Sequence, residues 1–269
     1  MIKPVRLKEA DDESLFGGKC VSLGSALRAG LPAPDGYALA VELVTEIVQD
    51  NAEAIADVTS LFPELAPSVA VRSSAVGEDS ETASFAGQHV SILNVMNAEA
   101  MVQAIKQVHG SAFTPEALAY RDKMGVGDEP AIAVVLQQQI QSEIAGVMFT
   151  RHPLTSVAER YVEASWGLGE AIVAGLVVPD GFRIAEDGAI VERIVGEKDI
   201  KLVSTDEGEV AEVEVASDKV ATLCLNDVQL QQLHLLAARC QSIYSQDIDI
   251  EWAFHTGKLY LLQCRAITR

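Results

Sequence analysis

The sequence predicts an α+β or α/β fold with much antiparallel sheet. First, apolar residues repeat at helical spacing in several segments, of which the longest runs from about Asp227 to Gln246. Second, short stretches rich in β-branched residues follow one another through residues 131–195. Third, two alternating segments near the end are separated by only a few residues around Gly257, which is typical of an antiparallel hairpin.

The first helix is expected in "LFGGKCVSLGSALRAG" (15–30). Its apolar residues repeat every three or four positions, and Gly30 ends the helix. A short strand follows, bounded by prolines. Residues 41–60 are helix-like, and a strand resumes at Val69.

A long loop is expected between the next two strands. "HVSILNV" (89–95) alternates like the strand that begins at Val69, so the two segments are predicted to form a hairpin. Their connection, "VRSSAVGEDSETASFAGQ" (71–88), is much longer than a tight turn. Residues 97–124 are expected to be helical, and the acidic stretch 196–220 to hold a second hairpin.

Composition excludes several classes of protein. A chain of 269 residues with 49% hydrophobic content can bury one or two full cores. It has no apolar run of the length of a membrane span and no apolar signal core, so we expect a cytoplasmic protein without a membrane partner. The four cysteines stand singly, so we expect core residues, not zinc ligands or disulfides. A net charge of -19 disfavours nucleic acid as a partner.

Lys19 follows Gly17 and Gly18 at the start of the expected first helix. A lysine is unfavourable there, because the helix dipole prefers negative charge at its N-terminus. A bound anion would explain this lysine, since free backbone N–H groups and the ammonium would both contact it. From these residues alone, a solvated surface lysine remains the alternative.

The final hairpin has a predictable register. A two-residue loop would pair Ile250 with Gln263 and would mix apolar with polar faces. A three-residue loop at 256–258 removes that conflict. The predicted pairs are therefore Glu251 with Gln263, Asp249 with Arg265, and Trp252 with Leu262.

This register places a carboxylate, an amide and a guanidinium on one face of the sheet, from Glu251, Gln263 and Arg265. Such a set suits a divalent metal bound to nucleotide phosphates, because Mg²⁺ takes one or two protein oxygens and arginine holds a phosphoryl group with two hydrogen bonds. By periodicity alone, the alternative is an exposed sheet face with a cross-strand pair of Asp249 and Arg265.

The loop at 71–88 resembles the signature loop of a nucleotide-binding domain. That domain is shared by phosphoenolpyruvate synthases, pyruvate phosphate dikinases and rifampin phosphotransferases. Four further blocks occur in the order of that family, and the match covers most of the chain. These blocks are "GGK" (17–19), "VVLQQQIQSEIAGVMFTRHP" (134–153), "SWGLGEAIVAGLVVPDGF" (165–182) and "DIEWAF…LYLLQCRAIT" at the end.

The resemblance implies an α+β fold of the ATP-grasp type, in which two α+β lobes close on ATP. The first lobe, residues 1–133 with the phosphate loop, is shortened relative to the family. Residues 134–269 are the implied second lobe, which carries the metal-binding hairpin. Gly87 and Ser91 would belong to the loop and strand that cover the phosphates, and Gln137 would contact the adenine side.

The resemblance also implies the catalytic and metal-binding residues. Lys19, Arg72 and Arg265 are the implied catalytic residues, because they would contact the phosphates. Glu251 and Gln263 would hold the metal, so the implied cofactors are ATP and Mg²⁺. The residues implied to bind the cofactor are Lys19, Arg72, Gly87, Ser91, Gln137, Glu251, Gln263 and Arg265.

In that family, the nucleotide domain passes a phosphoryl group to a histidine on a separate, swivelling domain. The acceptor histidine lies in a block rich in Gly, Thr and Ser, which this sequence lacks. The implied function is therefore an ATP-dependent phosphotransferase module whose acceptor histidine lies on a separate domain or a partner chain. The alternatives are a free-standing ATP-grasp enzyme that phosphorylates or ligates a small molecule, and a regulatory nucleotide-binding module.

Overall fold

The expected α+β class is confirmed by a computed structural model, which describes residues 2–77, 90–123, 129–244 and 247–267. The described strands form two antiparallel sheets and a two-stranded ribbon. The strands are β1 (Val5–Arg6), β2 (Gly36–Leu39), β3 (Val69–Ala75), β4 (Ser91–Val95), β5 (Ile132–Gln138), β6 (Ile144–Phe149), β7 (Glu159–Trp166), β8 (Asp180–Ala185), β9 (Ile190–Ile194), β10 (Ile200–Ser204), β11 (Val210–Glu214), β12 (Ile248–His255) and β13 (Lys258–Ala266). The helices are α1 (Glu13–Arg28), α2 (Val41–Val48), α3 (Ala52–Thr59), α4 (Phe62–Leu65), α5 (Ala98–Ser111), α6 (Pro115–Lys123), α7 (Glu170–Val173), α8 (Ser217–Val220) and α9 (Asp227–Tyr244).

The first sheet has the strand order β1-β2-β5-β3-β4. Val134 and Leu136 of β5 pack with α2, α3 and α5, whereas Val135 packs with α1 on the opposite face. Because both faces are covered, β5 is almost continuously apolar. Side chains alternate along a strand, so Arg72 and Gln137 project from the face that carries α1.

The second sheet has the order β13-β12-β6-β7-β8-β9. Its main core lies under α9, where Leu233 packs in one cluster with Phe182 and Trp252. Ile250 of β12 belongs to the same cluster. The alternation along β12 therefore turns Glu251 away from α9.

The C-terminal hairpin confirms part of the predicted register and corrects the rest. The observed pairs include Glu251 with Gln263 and Asp249 with Arg265, as predicted. Trp252, however, pairs with Leu261 and not with Leu262. The predicted three-residue loop is also wrong, because a two-residue turn of Thr256 and Gly257 joins the strands, both with positive φ (48° and 75°). A bulge at Leu262 adds the one residue that restores the polar pairs.

Two stretches that were expected to be continuous helices are divided. Residues 41–60 hold α2 and α3, which are separated at Asp50, where φ is 61°. Asn51 then starts α3, because its side chain accepts hydrogen bonds from two backbone N–H groups of the first turn. Residues 97–124 hold α5 and α6, and the second of these begins at Pro115.

The predicted hairpin within 196–220 is confirmed as the ribbon of β10 and β11, with Gly208 (φ 88°) in its turn. The change from the first sheet to the second comes between Gln138 and Ile144, whereas the expected lobe boundary follows residue 133, inside β5.

The cysteines lie in the interior of the protein. All four are buried, as expected for core residues. Within the described ranges, no helix has both the length and the apolar character that a membrane span needs.

Candidate functional site

Helix α1 is broken at Gly17, which has a non-helical backbone (φ 69°, ψ 167°). A Cβ atom at this position would lie 2.2 Å from the carbonyl oxygen of Ser74, so only glycine fits. The hydroxyl of Ser74 bridges the break. It donates to Phe16 O at 2.7 Å and accepts from Cys20 N at 3.0 Å. β3 thus holds the bend of α1 in place.

Lys19 lies in the first turn after this break, so it stands at a helix start as predicted. The residue is only 8% exposed, and its ammonium donates to Ser73 O at 2.8 Å. The alternative of a solvated surface lysine is therefore wrong. A buried ammonium at a helix start beside β3 is well placed to bind an anion.

Arg72 lies on β3, next to Ser73, and is 5% exposed. Its Nη1 atom donates to Glu251 Oε2 at 3.3 Å. The Nε atom is buried and has no hydrogen-bond partner in the described part of the chain. A buried guanidinium with an unused donor suits a further anion, and phosphate oxygens match its geometry.

Glu251 and Gln263 lie directly opposite each other in the hairpin. This adjacency of a carboxylate and an amide fits Mg²⁺, which takes few protein oxygens and completes its shell with water and phosphate. Among the described residues, no group of three or more His, Cys, Asp or Glu side chains could hold a metal ion. One carboxylate and one amide leave most of the coordination shell of such an ion to water or phosphate oxygens.

Arg265 donates from Nε to Asp249 Oδ2 at 2.7 Å, so the predicted cross-strand pair is present. Both residues lie on the same side of the hairpin as Glu251, because side chains two positions apart share a face. A partly exposed polar face accounts for this pair. It does not account for Glu251, which Arg72 of the first sheet contacts.

A cleft between the two sheets is lined by both Arg72 and Gln137. Gln137 is almost completely buried, and its Nε2 atom donates to Pro34 O at 3.1 Å. Leu262, the bulged residue of β13, lines the same cleft. Two residues assigned by resemblance to opposite ends of a nucleotide therefore share one cleft.

Glu170, at the start of α7, is a candidate that the sequence reasoning missed. It lines the cleft with Arg72 and Gln137. Burial raises the pKa of its carboxyl group, the charge of Arg72 offsets part of this shift, and the charge of Glu251 adds to it. Its position in the matched block "SWGLGE" was the available signal, because an acid there interrupts an otherwise apolar segment.

The remaining predicted residues belong to the loop region. Ser91 begins β4, pairs with Arg72 in the sheet and has an exposed side chain. Gly87 lies outside the described residues, as does most of the loop at 71–88.

The comparison with protein families decides the family of this chain. Residues 41–269 match the family described as pyruvate phosphate dikinase, AMP/ATP-binding domain. The chain belongs to this family. Its α+β architecture, with a cleft between two sheets, agrees with the ATP-grasp fold that the resemblance implied.

Several curated relatives are similar to this chain over most of its length. The chain is 34% identical to a probable phosphoenolpyruvate synthase of Archaeoglobus fulgidus, over 97% of this chain and 40% of that protein. It is 34% identical to an uncharacterized phosphotransferase of Bacillus subtilis (98% and 35%) and 35% identical to a rifampicin phosphotransferase of Bacillus cereus (85% and 26%).

The chain thus spans 26–40% of the length of these relatives. The alignment with the Archaeoglobus protein covers 306 positions, against 269 residues in this chain. That relative therefore carries residues within the matched region that this chain lacks.

Proposed function

We propose that this chain binds Mg-ATP in the cleft between the two sheets and transfers a phosphoryl group to a histidine on a separate domain or partner chain. The contact between Arg72 and Glu251 carries the proposal, because it joins a phosphate-binding cation to a metal-binding carboxylate. Membership of an AMP/ATP-binding domain family supports the nucleotide. The units on either side of the cleft would close on it as two lobes.

The nucleotide would lie along the cleft with its base near Gln137 and its phosphates near Arg72. Both residues line the cleft, which supports a nucleotide that contacts both of them. Glu170 lines it too, and its carboxyl group can accept hydrogen bonds from ribose hydroxyls.

The phosphates of ATP would be neutralised by Lys19, Arg72 and Arg265. Phosphoryl transfer depends on in-line positioning and on charge stabilisation, and less on covalent chemistry by the protein. Lys19 and Arg72 are buried and act strongly in that role, because little water screens them. Ser91 and Gly87 would cover the phosphates from the side of β4 and the loop that precedes it.

Glu251 and Gln263 would hold Mg²⁺. When bound, this ion neutralises charge on the phosphate oxygens. Arg72 already contacts the carboxylate of Glu251, so the residues for metal and phosphate stand side by side. A chain with a net charge of -19 also needs such cations locally before a polyanion can bind.

A protein acceptor is supported by the surface next to Glu170. α7 starts at Glu170, and the segment after it exposes Leu176 and Val178. Val178 N donates to Glu197 O, and Val195, two residues before Glu197, is also exposed. Contiguous exposed apolar side chains are typical of protein contacts, and a small acceptor molecule would not require them.

Identification of the products tests the proposed function. The purified chain is incubated with Mg-ATP labelled in the β-phosphoryl group, first alone and then with the histidine-bearing domain of a curated relative as a separate chain. We expect AMP, phosphate and a labelled acceptor domain, all of which require the acceptor. The variant Glu251→Gln serves as the control and should give none of them.

Two other outcomes would overturn the proposal. ADP formed only with a small-molecule acceptor would indicate a small-molecule kinase or ligase. Tight binding of Mg-ATP without transfer to any acceptor would indicate a regulatory module.

A further inference from the structure

The ribbon of β10 and β11 reaches from one wall of the cleft to the other. On the side of the second sheet, Leu168 N donates to Leu202 O, in the middle of β10, at 2.9 Å, and Leu168 lines the cleft beside Glu170. On the side of the first sheet, the turn of the ribbon contacts β4 through Asn94. The ribbon therefore connects the second sheet to the first alongside the cleft.

Asn94 makes this second contact and is only 2% exposed. Its Nδ2 atom donates to Thr205 O and to Glu209 O, each at 2.8 Å, and these carbonyls stand at the two ends of the turn. Its backbone has a φ of 57°, at a bulge of β4 opposite Ala70. Asparagine tolerates this conformation better than most residues do.

Gln139, which follows β5, contacts both Asn94 and the ribbon. Its Oε1 atom accepts from Asn94 N, and its Nε2 atom donates to Ser204 Oγ at 2.9 Å. Gln139 also lines the cleft, as does Leu93, the residue before Asn94. Two segments that line the cleft are thus joined to the ribbon through two amide side chains.

We propose that Asn94 is a positioning residue, which holds the ribbon across the two sheets and so sets the shape of the cleft for the nucleotide. The inference rests on the proposed function, because the ligand is the same nucleotide. Two hydrogen bonds from one buried donor group specify both the position and the orientation of the turn. The described hydrogen bonds of Asn94 join β4 to Gln139 and to the ribbon, so its loss is expected to change the shape of the cleft and thereby the binding of the nucleotide.

Two variants and a matched control test this role. Asn94→Asp keeps the size of the side chain but places a carboxylate against two carbonyl oxygens, which repel it. Asn94→Gly keeps the positive φ without strain and removes both hydrogen bonds. Asn97→Ala is the control, because Asn97 lies three residues further on and caps α5 by accepting from Ala100 N at 2.7 Å.

We expect the Kd for Mg-ATP to rise about tenfold in both Asn94 variants, as the loss of one or two hydrogen bonds would give, and to stay within about twofold in Asn97→Ala. With the acceptor domain present, the KM for ATP should rise while kcat stays nearly constant. Hydrogen exchange should accelerate at residues 200–214 in the Asn94 variants alone.

Failure of the proposed function and failure of the role of Asn94 would give different results. If the wild-type chain does not bind Mg-ATP, the proposed function fails. If the wild type binds and exchange in the ribbon accelerates in Asn94→Asp, but the Kd and KM do not change, only the positioning role of Asn94 is refuted. Unaltered exchange at 200–214 would also refute it.

Discussion

Arg72 of the first sheet and Glu251 of the second form an ion pair, with 3.3 Å between Nη1 and Oε2. The side chain of Arg72 is 7% exposed and that of Glu251 is 32% exposed. The arginine is therefore desolvated and depends on this carboxylate, whereas the carboxylate keeps access to a metal or to water.

This asymmetry predicts the effect of Glu251→Gln. The change removes the carboxylate that is hydrogen-bonded to the buried guanidinium, so we expect the free energy of unfolding to fall by about 1–3 kcal/mol. The loss is smaller than for a fully buried pair, because the carboxylate is partly exposed. Turnover of Mg-ATP should be abolished. Urea unfolding and a product assay measure the two effects.

Glu192→Gln is the matched control for this prediction. Glu192 pairs with Arg183 at 3.0 Å on the outer strands of the same sheet, and both side chains are more exposed. We expect a change below about 0.5 kcal/mol and full turnover. Equal effects of the two substitutions would contradict the role of Glu251.

Gly17 and Gly30 form a second matched pair, because both have a φ of 69°. A Cβ atom at Gly30 would meet open space, whereas one at Gly17 would meet Ser74 O at 2.2 Å. Gly30→Ala should therefore lower the free energy of unfolding by only about 1 kcal/mol, which is the strain of an alanine in the left-handed conformation. Gly17→Ala should lower the free energy of unfolding by at least about 2 kcal/mol more, because the added methyl group meets the backbone of β3. It should also weaken ATP binding, because it displaces Lys19. Equal destabilisation by the two substitutions in urea would show that the break in α1 is not constrained.

The raised pKa of Glu170 should make the stability of the protein depend on pH. Its pKa is raised by burial, so its charged form opposes folding. The stability that the protonated carboxyl group contributes is fully present below its ordinary pKa and is lost as the pH rises through the raised pKa. Glu170→Gln should unfold at a higher urea concentration than the wild type at neutral pH, and this difference should vanish below about pH 4. A difference that does not change with pH would rule out the raised pKa.

The backbone conformation of Thr256 indicates a substitution that should stabilise the protein. It precedes Gly257 in the two-residue turn and has a positive φ of 48°, which is unfavourable for a β-branched residue. Asparagine is preferred at this position of such a turn, so Thr256→Asn should raise the free energy of unfolding by about 0.5–1 kcal/mol. Gly257→Ala, which removes the permissive glycine, should lower it by a similar amount. Neither change should affect ATP binding, and thermal unfolding tests both.

The local patterns of the sequence determined the class of fold and the order of its elements. They also predicted correctly that Glu251 faces Gln263 and that Asp249 faces Arg265, because a slip by one residue would bury the polar set. Family resemblance added Lys19, Arg72 and Gln137 as residues of a single nucleotide site. Two of these, Arg72 and Gln137, line one cleft.

Other features were decided by tertiary structure alone. The turn is shorter than predicted because a bulge at Leu262 absorbs one residue, and no local pattern marked that bulge. Arg72 and Glu251 are 179 positions apart, and the two contacts from Asn94 to the ribbon span 111 and 115 positions. Short-range periodicity reports which face a side chain occupies, but contacts over such separations arise only when whole elements pack against each other. The sequence therefore identified most of the groups at the candidate site, and the packing of the two sheets decided which of them meet.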